Sequence, residues 1–346
     1  MRSENSTAKT EAVARSVPAT MKAMVQEEYG RAAAVLEMRE VPVPEIGGEE
    51  VLVKVHSSSV NAMEWHLMNG KPYIFRAAFG FSPRSPILGA DISGTVVAVG
   101  TDVTRFETGD EVFGEIGAGA YAEYAKAVET HLAAKPKEVS FEEAAAVGVA
   151  GLTALQGLRD VIGLESGQKV LINGASGGVG TYATQVAKVL GAEVTAVCST
   201  RNVDRARDLG ADKVIDYSKE DFTKADERFD AIFDIPGNHP LRALKSLLAQ
   251  GGVYVMVGGS KNNWVGPLPR VLWSKLSFAF GDKRTDNFVA TINADDLATL
   301  GEWLASGAIR SVIETRYPLR GIAIPLDQQG KFHARGKTVV NVEGGF

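Results

Sequence analysis

The sequence predicts an α/β protein that joins a doubly wound parallel sheet to a second, β-rich domain. Two observations carry this prediction. From Lys169 onward, short apolar runs alternate with helical segments at the spacing of strand–helix units. Before that point, closely spaced strand-like runs such as 51–55 and 94–100 are separated by glycine turns, which is typical of a compact barrel-like domain.

Composition narrows the function classes. The chain has 346 residues, 45% hydrophobic and 23% charged, enough for two domains with ordinary cores. A net charge of -5 gives no basic footprint for nucleic acid or anionic lipid, and no apolar run approaches the roughly 18 residues of a membrane span. The single cysteine, Cys198, excludes intramolecular disulfides and is interpreted as a buried apolar residue. We expect a cytoplasmic protein whose partner is a small molecule.

Four segments are predicted. Residues 1–20 are rich in Ser, Thr, Ala and Glu and lack the apolar core of a secretion signal, so we expect a disordered leader. Residues 21–146 form the β-rich domain, and residues 147–290 form the nucleotide-binding domain. Residues 291–346 return to the β-rich domain, which makes the nucleotide-binding domain an insertion.

The elements of the second half follow in order. A helix begins after Phe141, a strand over 170–172 runs into a helix that ends near Lys188, and a single helix is expected over 295–305. The remaining predicted strands are 194–198, 214–215, 231–233, 253–257, 311–315 and 338–342, with helices near 204–209 and from Pro240.

The glycine-rich segment that follows strand 170–172 carries the first functional signal. Ala175, Gly177 and Gly180 fit A-x-G-x-x-G, with alanine at the first glycine position. Such a loop, here including Ser176, Gly178 and Val179, lets backbone amides and a helix N-terminus approach a pyrophosphate. The alternative is a tight turn without a ligand. The surrounding strand–turn–helix pattern favours dinucleotide binding.

The end of the next strand indicates which dinucleotide is preferred. An NAD binder usually has an acid there, whereas this chain has Ser199, Thr200 and Arg201, with no acid until Asp204. Hydroxyls and a guanidinium suit a 2′-phosphate, and Lys213 and Tyr217 are expected to join that pocket. The alternative is an exposed helix start with Ser199 or Thr200 as its N-cap. We predict NADP(H).

From Met21 to Val342 the chain resembles the medium-chain dehydrogenase/reductase superfamily, in particular its zinc-free quinone oxidoreductase-like members. The matching stretches are 21–23, 60–61, 88–91, 109–114, 119–124, 152–154, 210–217 and 336–337. The resemblance implies a GroES-like catalytic domain, a Rossmann domain and an active site in the cleft between them. It also implies a homodimer.

This chain departs from the zinc-dependent branch of that superfamily. That branch has a ligating cysteine near the position of Asn61 and a Gly-His-Glu near 89–91, where this chain has Ala90. Neither residue offers a thiolate or an imidazole, so we expect no catalytic zinc. The C-terminal helix is a second departure, because Pro325 is expected to interrupt it.

The resemblance also assigns roles to single residues. It places Asn61 beside the nicotinamide and His66 on the substrate side, as a donor or proton relay or else as a residue that only shapes the cleft. The other implied cofactor contacts are Thr153, Val257, Gly258 and Lys337, with a solvated surface lysine as the alternative for Lys337.

We therefore expect an NADPH-dependent, zinc-independent reductase of quinones or α,β-unsaturated carbonyls. Without a metal to polarise a carbonyl, a conjugated acceptor is easier to reduce than a simple ketone. None of the eight tyrosines has a lysine four residues later, which excludes the short-chain dehydrogenase pattern. A zinc-free alcohol or aldehyde reductase and a non-catalytic NADPH-binding scaffold remain the alternatives.

Overall fold

Three β-sheets organise the residues that the computed structural model describes, which are 17–74, 76, 80–258, 263–330 and 334–345. The strands are β1 (Thr20–Val25), β2 (Glu37–Pro42), β3 (Glu50–Val60), β4 (Asp91–Val99), β5 (Glu111–Glu115), β6 (Tyr124–Val128), β7 (Leu132–Ala134), β8 (Lys169–Asn173), β9 (Glu193–Cys198), β10 (Lys213–Asp216), β11 (Phe229–Asp234), β12 (Leu248–Met256), β13 (Arg284–Asn287), β14 (Ile313–Pro318) and β15 (Lys337–Asn341).

Helices lie in both halves of the chain. The α-helices are α1 (Ala32–Val35), α2 (Ala62–Asn69), α3 (Phe141–Gln156), α4 (Gly178–Val189), α5 (Val203–Asp208), α6 (Leu241–Leu247), α7 (Leu268–Phe278), α8 (Ala294–Ala305) and α9 (Ala323–Gln329). The expected leader falls largely on residues 1–16, which lie outside the described part of the chain.

The nucleotide-binding half is a six-stranded parallel sheet in the order β10-β9-β8-β11-β12-β13. Leu171 and Ile172 alternate between core clusters on opposite faces of β8, so the sheet is covered on both sides. The predicted doubly wound sheet is therefore confirmed. The strand order reverses between β8 and β11, which puts a crevice at their carboxyl ends.

The β-rich half is a mixed sheet in the order β14-β15-β3-β4-β5-β7, with β6 paired to β3. The strands predicted over 311–315 and 338–342 are β14 and β15, and β15 pairs antiparallel with β3. This pairing returns the end of the chain to the first sheet.

Helix α3 lies where the two halves meet, in contact with β4, β5 and α4. Ser140 caps it in a capping box with Glu143. The helical stretch 141–162 is long and apolar enough to cross a membrane, yet 72% of its most apolar window is buried inside the protein. The burial identifies it as a core helix.

Two local features differ from expectation. Pro325 lies in the first turn of α9 and does not interrupt it, because a first-turn residue needs no amide hydrogen. The sequence patterns also left helix α7 and the edge strand β13 unassigned.

Cys198 is 1% exposed, as expected of a buried apolar residue.

Candidate active site

The glycine loop, residues 174–180, connects β8 to α4 at the crevice of the parallel sheet. Gly174 has a φ of +85°, and a Cβ at Gly180 would lie 2.1 Å from the Gly174 carbonyl oxygen, so both positions require glycine. At Gly177 a Cβ would meet only that carbonyl, at 3.7 Å. Gly177 is also the N-cap of α4 and offers no side chain to the first amides. The loop therefore leaves room and free donors for an anion.

Polar groups collect at the same edge of the sheet. Asn173 Nδ2 donates to Asp234 Oδ1 over 2.8 Å, and the Tyr254 hydroxyl donates to Asp234 Oδ2 over 2.8 Å. The Val257 amide donates to the Asp234 carbonyl, and Gly258 follows where a Cβ would lie 2.2 Å from the Ile235 carbonyl oxygen. Val257 and Gly258 thus lie at the carboxyl ends of the strands, beside the glycine loop.

A second cleft lies at the carboxyl ends of β9 and β10. Ser199, Thr200, Arg201, Tyr217 and Ser218 line an open space of about 460 Å³. The structure thereby brings four predicted cofactor residues together and adds Ser218.

An unpredicted carboxylate borders this cleft. Thr200 Oγ1 donates to Asp216 Oδ2 over 2.6 Å, and the Ser218 amide donates to Asp216 Oδ1 over 3.0 Å. The Thr200 hydrogen bond is the main reason that the pKa of Asp216 is lowered. Asp216 therefore accepts these two hydrogen bonds as a charged carboxylate. The acid beside this cleft comes from the end of β10, not from the end of β9.

Lys213 does not join this group, and the expectation for it is corrected. It begins β10, at the amino end of the strand, whereas Tyr217 follows the carboxyl end. Its ammonium lies 2.9 Å from Glu227 and 3.7 Å from Glu193. The spacing of four residues along an extended strand separates Lys213 from Tyr217 by about 13 Å.

A buried polar cluster, made of Asn61, Glu64, Asp91 and Lys337, lies in the β-rich half. Asn61 caps α2 in a capping box with Glu64, and its Nδ2 donates to Asp91 Oδ2 over 2.9 Å. The Lys337 ammonium lies 3.1 Å from Asp91 Oδ2 and donates to Asn61 Oδ1. Asn61 is thereby fixed from both ends of its amide.

Lys337 connects this cluster to the glycine loop. Its side chain is only 2% exposed, so the alternative of a solvated surface lysine is wrong. Its Cδ would lie 3.2 Å from a Cβ placed at Gly178. The stem therefore passes the loop while the ammonium is directed to Asn61 and Asp91.

Charge burial perturbs the cluster. Glu64 is fully buried, and burial followed by the charge of Asp91 raises its pKa to about 7. Both of its oxygens nevertheless accept backbone amides, from Asn61 at 2.8 Å and Ala90 at 3.1 Å. Glu115, on the neighbouring strand, has its pKa raised to about 8, by burial first and by Asp91 second. Sequence patterns did not indicate Glu115 as part of a site.

His66 and Thr153 lie near this region on helices α2 and α3. Burial lowers the pKa of His66, so its ring is neutral at pH 7. Its Nδ1 lies 3.3 Å from the Lys71 carbonyl, and since a carbonyl only accepts, Nδ1 carries the hydrogen. The ring also packs edge-on against Trp65. The Thr153 hydroxyl donates to the Val149 carbonyl one turn back, over 2.7 Å.

The residues fit a dinucleotide better than they fit a metal ion. The glycine loop leaves a space for a phosphate that a Cβ at its glycines would fill. Ser199, Thr200 and Arg201, which suit a phosphate, directly follow the neighbouring strand β9. Among the residues that the structure describes, no group of three or more His, Cys, Asp or Glu side chains is arranged to hold a metal ion. Asn61 in the cluster, and Ala90, whose amide donates to Glu64, offer neither a thiolate nor an imidazole.

Comparisons with known proteins give the family of this chain. Residues 47–137 match the family described as alcohol dehydrogenase GroES-like domain, and residues 209–340 match zinc-binding dehydrogenase. The chain is 34% identical to quinone-oxidoreductase QR1, chloroplastic, of Triphysaria versicolor, over 92% of this chain and 98% of the relative. It is 32% identical to NADPH-dependent alkenal/one oxidoreductase, chloroplastic, of Arabidopsis thaliana, over 94% and 80%.

A solved structure shows the same fold. The quinone oxidoreductase from Coxiella burnetii superimposes with a TM-score of 0.82 at 30% identity, covering 93% of this chain and 99% of that one. The likeness of the fold therefore extends over both halves of the molecule.

Proposed function

Because this chain belongs to the medium-chain dehydrogenase/reductase superfamily, among its quinone oxidoreductase-like members, we propose that it is an NADPH-dependent, zinc-independent reductase of quinones or α,β-unsaturated carbonyls. The names of the two relatives described above support this substrate class, since they mention quinones and alkenals or enones. One of them also mentions NADPH.

The contact between Lys337 and both Asn61 and the glycine loop carries the proposal. It joins the side chain predicted beside the nicotinamide to the loop that would hold the pyrophosphate. When bound, NADPH would supply the hydride. Asn61 would lie beside the nicotinamide, and Glu64, Asp91 and Lys337 would hold its amide in place.

Conjugation decides which acceptors this arrangement suits. A hydride added to the β-carbon of an enone, or to a quinone, leaves a charge that is delocalised onto oxygen. Hydrogen-bond donors suffice for that charge, whereas a simple ketone relies on stronger polarisation of its carbonyl. Because Asn61 and Ala90 offer no metal ligand, we favour the conjugated acceptor over the alcohol or aldehyde.

Preference for NADPH rests on Arg201. Arg201 lines the cleft together with three hydroxyl-bearing residues, Ser199, Thr200 and Tyr217. A guanidinium binds a phosphate bidentately, so Arg201 is the residue that would distinguish the 2′-phosphate from a 2′-hydroxyl. The Asp216 carboxylate already accepts hydrogen bonds from Thr200 and Ser218. These hydrogen bonds limit how strongly the Asp216 carboxylate competes with a phosphate for Arg201.

His66 would line the acceptor site. With the Nδ1 hydrogen directed to Lys71 and the pKa lowered, the neutral ring offers Nε2 as an acceptor rather than a donor. This geometry favours a role in shaping the cleft. Replacing His66 with Phe should keep NADPH affinity, and a large loss of turnover would instead support a proton relay.

We further propose a homodimer formed through β13 and α7. The outer side of this region exposes Leu272 (69%), Trp273 (62%) and Phe280 (82%), and β13 is the edge strand of its sheet. A two-fold pairing of β13 about Thr285 would place Arg284 opposite Asp286 of a second copy, which is a self-complementary charge pattern. A monomer in sedimentation equilibrium at micromolar concentration would contradict this.

A panel of acceptors tests the proposed function. The purified protein is mixed with NADPH and a quinone, an enal, a simple aldehyde or a simple ketone, and loss of NADPH absorbance is followed. Turnover with the quinone or enal is expected. Turnover with the aldehyde alone would favour the alcohol or aldehyde reductase. NADPH binding without turnover on any acceptor would favour the scaffold protein.

We also propose the cytoplasm as the compartment, although both relatives carry "chloroplastic" in their names.

A further inference from the structure

Glu115 ends strand β5 on the side that faces the nucleotide-binding half. In the antiparallel pairing of β4 and β5 it lies opposite Asp91, so the two side chains share one face of the sheet. Asp91 on that face accepts the Val149 amide of α3 over 2.7 Å. Phe113, two residues before Glu115, packs there into the core of the nucleotide-binding half. Glu115 is therefore directed toward the region between the two halves, beside the buried polar cluster.

The local charges do not balance. The charged groups that face Glu115 are Asp91 on β4, Glu64 on α2 and Lys337 on β15. Three carboxyl groups thus share one ammonium in a largely buried space. Carboxylates in such proximity do not all ionise together near neutral pH, so at least one proton stays in the group.

Hydrogen bonds indicate which carboxyl keeps the proton. Glu64 accepts two backbone amides, and Asp91 accepts the Val149 amide, the Asn61 amide and the Ser59 hydroxyl in addition to Lys337. These donors stabilise ionised carboxylates. The Glu115 carboxyl accepts no hydrogen bond from any residue in the described part of the chain, and Glu115 is only half-buried. A neutral carboxyl is the form that tolerates this environment.

We propose that Glu115 is the proton donor of this site, a catalytic acid that protonates the reduced acceptor. This inference rests on the proposed function and names a residue for its second step. Glu115 is suited to the step because it holds a proton, borders the cluster that contains Asn61, the residue predicted beside the nicotinamide, and is open enough to regain a proton from solvent.

For an α,β-unsaturated carbonyl, NADPH when bound would supply the hydride that bonds to the β-carbon, and the π electrons of the C=C bond would move to give an enolate. The Glu115 O–H bond breaks, its proton bonds to the α-carbon, and its electrons stay on the carboxylate. The enolate electrons restore the C=O bond. The product is the saturated carbonyl, with NADP⁺ released and one solvent proton taken up by Glu115.

The test compares Glu115→Gln and Glu115→Asp with wild type, using an enone and NADPH. Glu107→Gln is the matched control, because Glu107 is exposed and precedes the same strand. General acid catalysis contributes about 10²–10⁴-fold, so Glu115→Gln should lower kcat by at least about 100-fold while NADPH affinity stays unchanged. Glu115→Asp should restore part of the rate. Wild-type kcat should fall as the pH rises through about 8, the pKa of Glu115, and this decline should be absent in Glu115→Gln.

Each outcome distinguishes the two proposals. An active wild type with an equally active Glu115→Gln variant, or with the same decline above pH 8 in that variant, overturns the role of Glu115 and leaves the reductase standing. A wild type that binds NADPH yet reduces no acceptor overturns both. If Glu115→Gln loses its circular dichroism signal, Glu115→Asp takes its place in the test. The pH at which kcat declines must then differ between Glu115→Asp and wild type. An unchanged pH of decline overturns the role of Glu115 as the acid.

Discussion

Replacing Lys337 with methionine tests whether the buried polar cluster is held by charge. Lys337 is 2% exposed and Asp91 is 0% exposed, and 3.1 Å separates Nζ from Oδ2. Methionine keeps a similar apolar stem beside Gly178 but removes the ammonium. Removing one partner of a buried pair costs about 3–5 kcal/mol, because the other charge is left uncompensated. Asp91 keeps several neutral donors, so we expect a loss near the lower value, about 3 kcal/mol.

Equilibrium urea unfolding followed by circular dichroism measures this loss. Lys169→Met is the matched control, since Lys169 is 40% exposed and forms its 2.7 Å pair with Glu227 at the surface. That exposed pair should contribute at most about 1 kcal/mol. Combining Lys337→Met with Asp91→Asn should recover part of the loss, because the second change removes the unpaired charge. The reasoning fails if Lys337→Met costs no more than Lys169→Met, or if the double variant is less stable than the sum of the single ones.

Three further predictions concern the loop, the cofactor and pH. Gly180→Ala should destabilise the protein by about 1–3 kcal/mol in thermal unfolding, because its Cβ would lie 2.1 Å from the Gly174 carbonyl oxygen. Gly177→Ala should leave stability unchanged and weaken NADPH binding in a fluorescence titration. Equal stabilities of the two variants would count against the loop geometry. Arg201→Ala should raise the Kd of NADPH about tenfold and leave that of NADH unchanged, and equal weakening of both would refute the phosphate cleft. The folded pKa of Glu64 is about 7 against 4.5, so its contribution to stability is full below pH 4.5 and is lost as pH rises through 7. This loss of about 3 kcal/mol should be missing from Glu64→Gln and should therefore appear in the difference between the unfolding free energies of wild type and the variant; a difference that does not change with pH would contradict it.

The sequence predicted the fold because the signals for it are local. Strand β8, the glycine loop and α4 are contiguous, and their apolar and glycine spacing specifies a strand–turn–helix unit without reference to the rest of the chain. The cleft of Ser199, Thr200 and Arg201 is local in the same sense, since these residues directly follow β9.

The buried polar cluster is not local, and residue patterns alone could not assemble it. Lys337 and Asn61 are 276 positions apart and meet only because β15 pairs with β3. Glu115 reaches Asp91 through a strand register that the sequence does not specify. Lys213 was misplaced for the opposite reason, because closeness to Tyr217 in sequence did not reveal that it starts its strand. One usable signal was present in Asp91, a carboxylate inside an otherwise apolar and small-residue stretch.

The destination of the hydride tests the central proposal most directly. NADPH deuterated at both positions of C4 is mixed with the protein and an enone, with and without a strong zinc chelator, and the product is analysed by mass spectrometry and NMR. We expect one deuterium on the β-carbon of the saturated ketone, at a rate that the chelator does not change. Deuterium on the carbonyl carbon of an allylic alcohol, with activity that the chelator abolishes and zinc restores, would contradict the account.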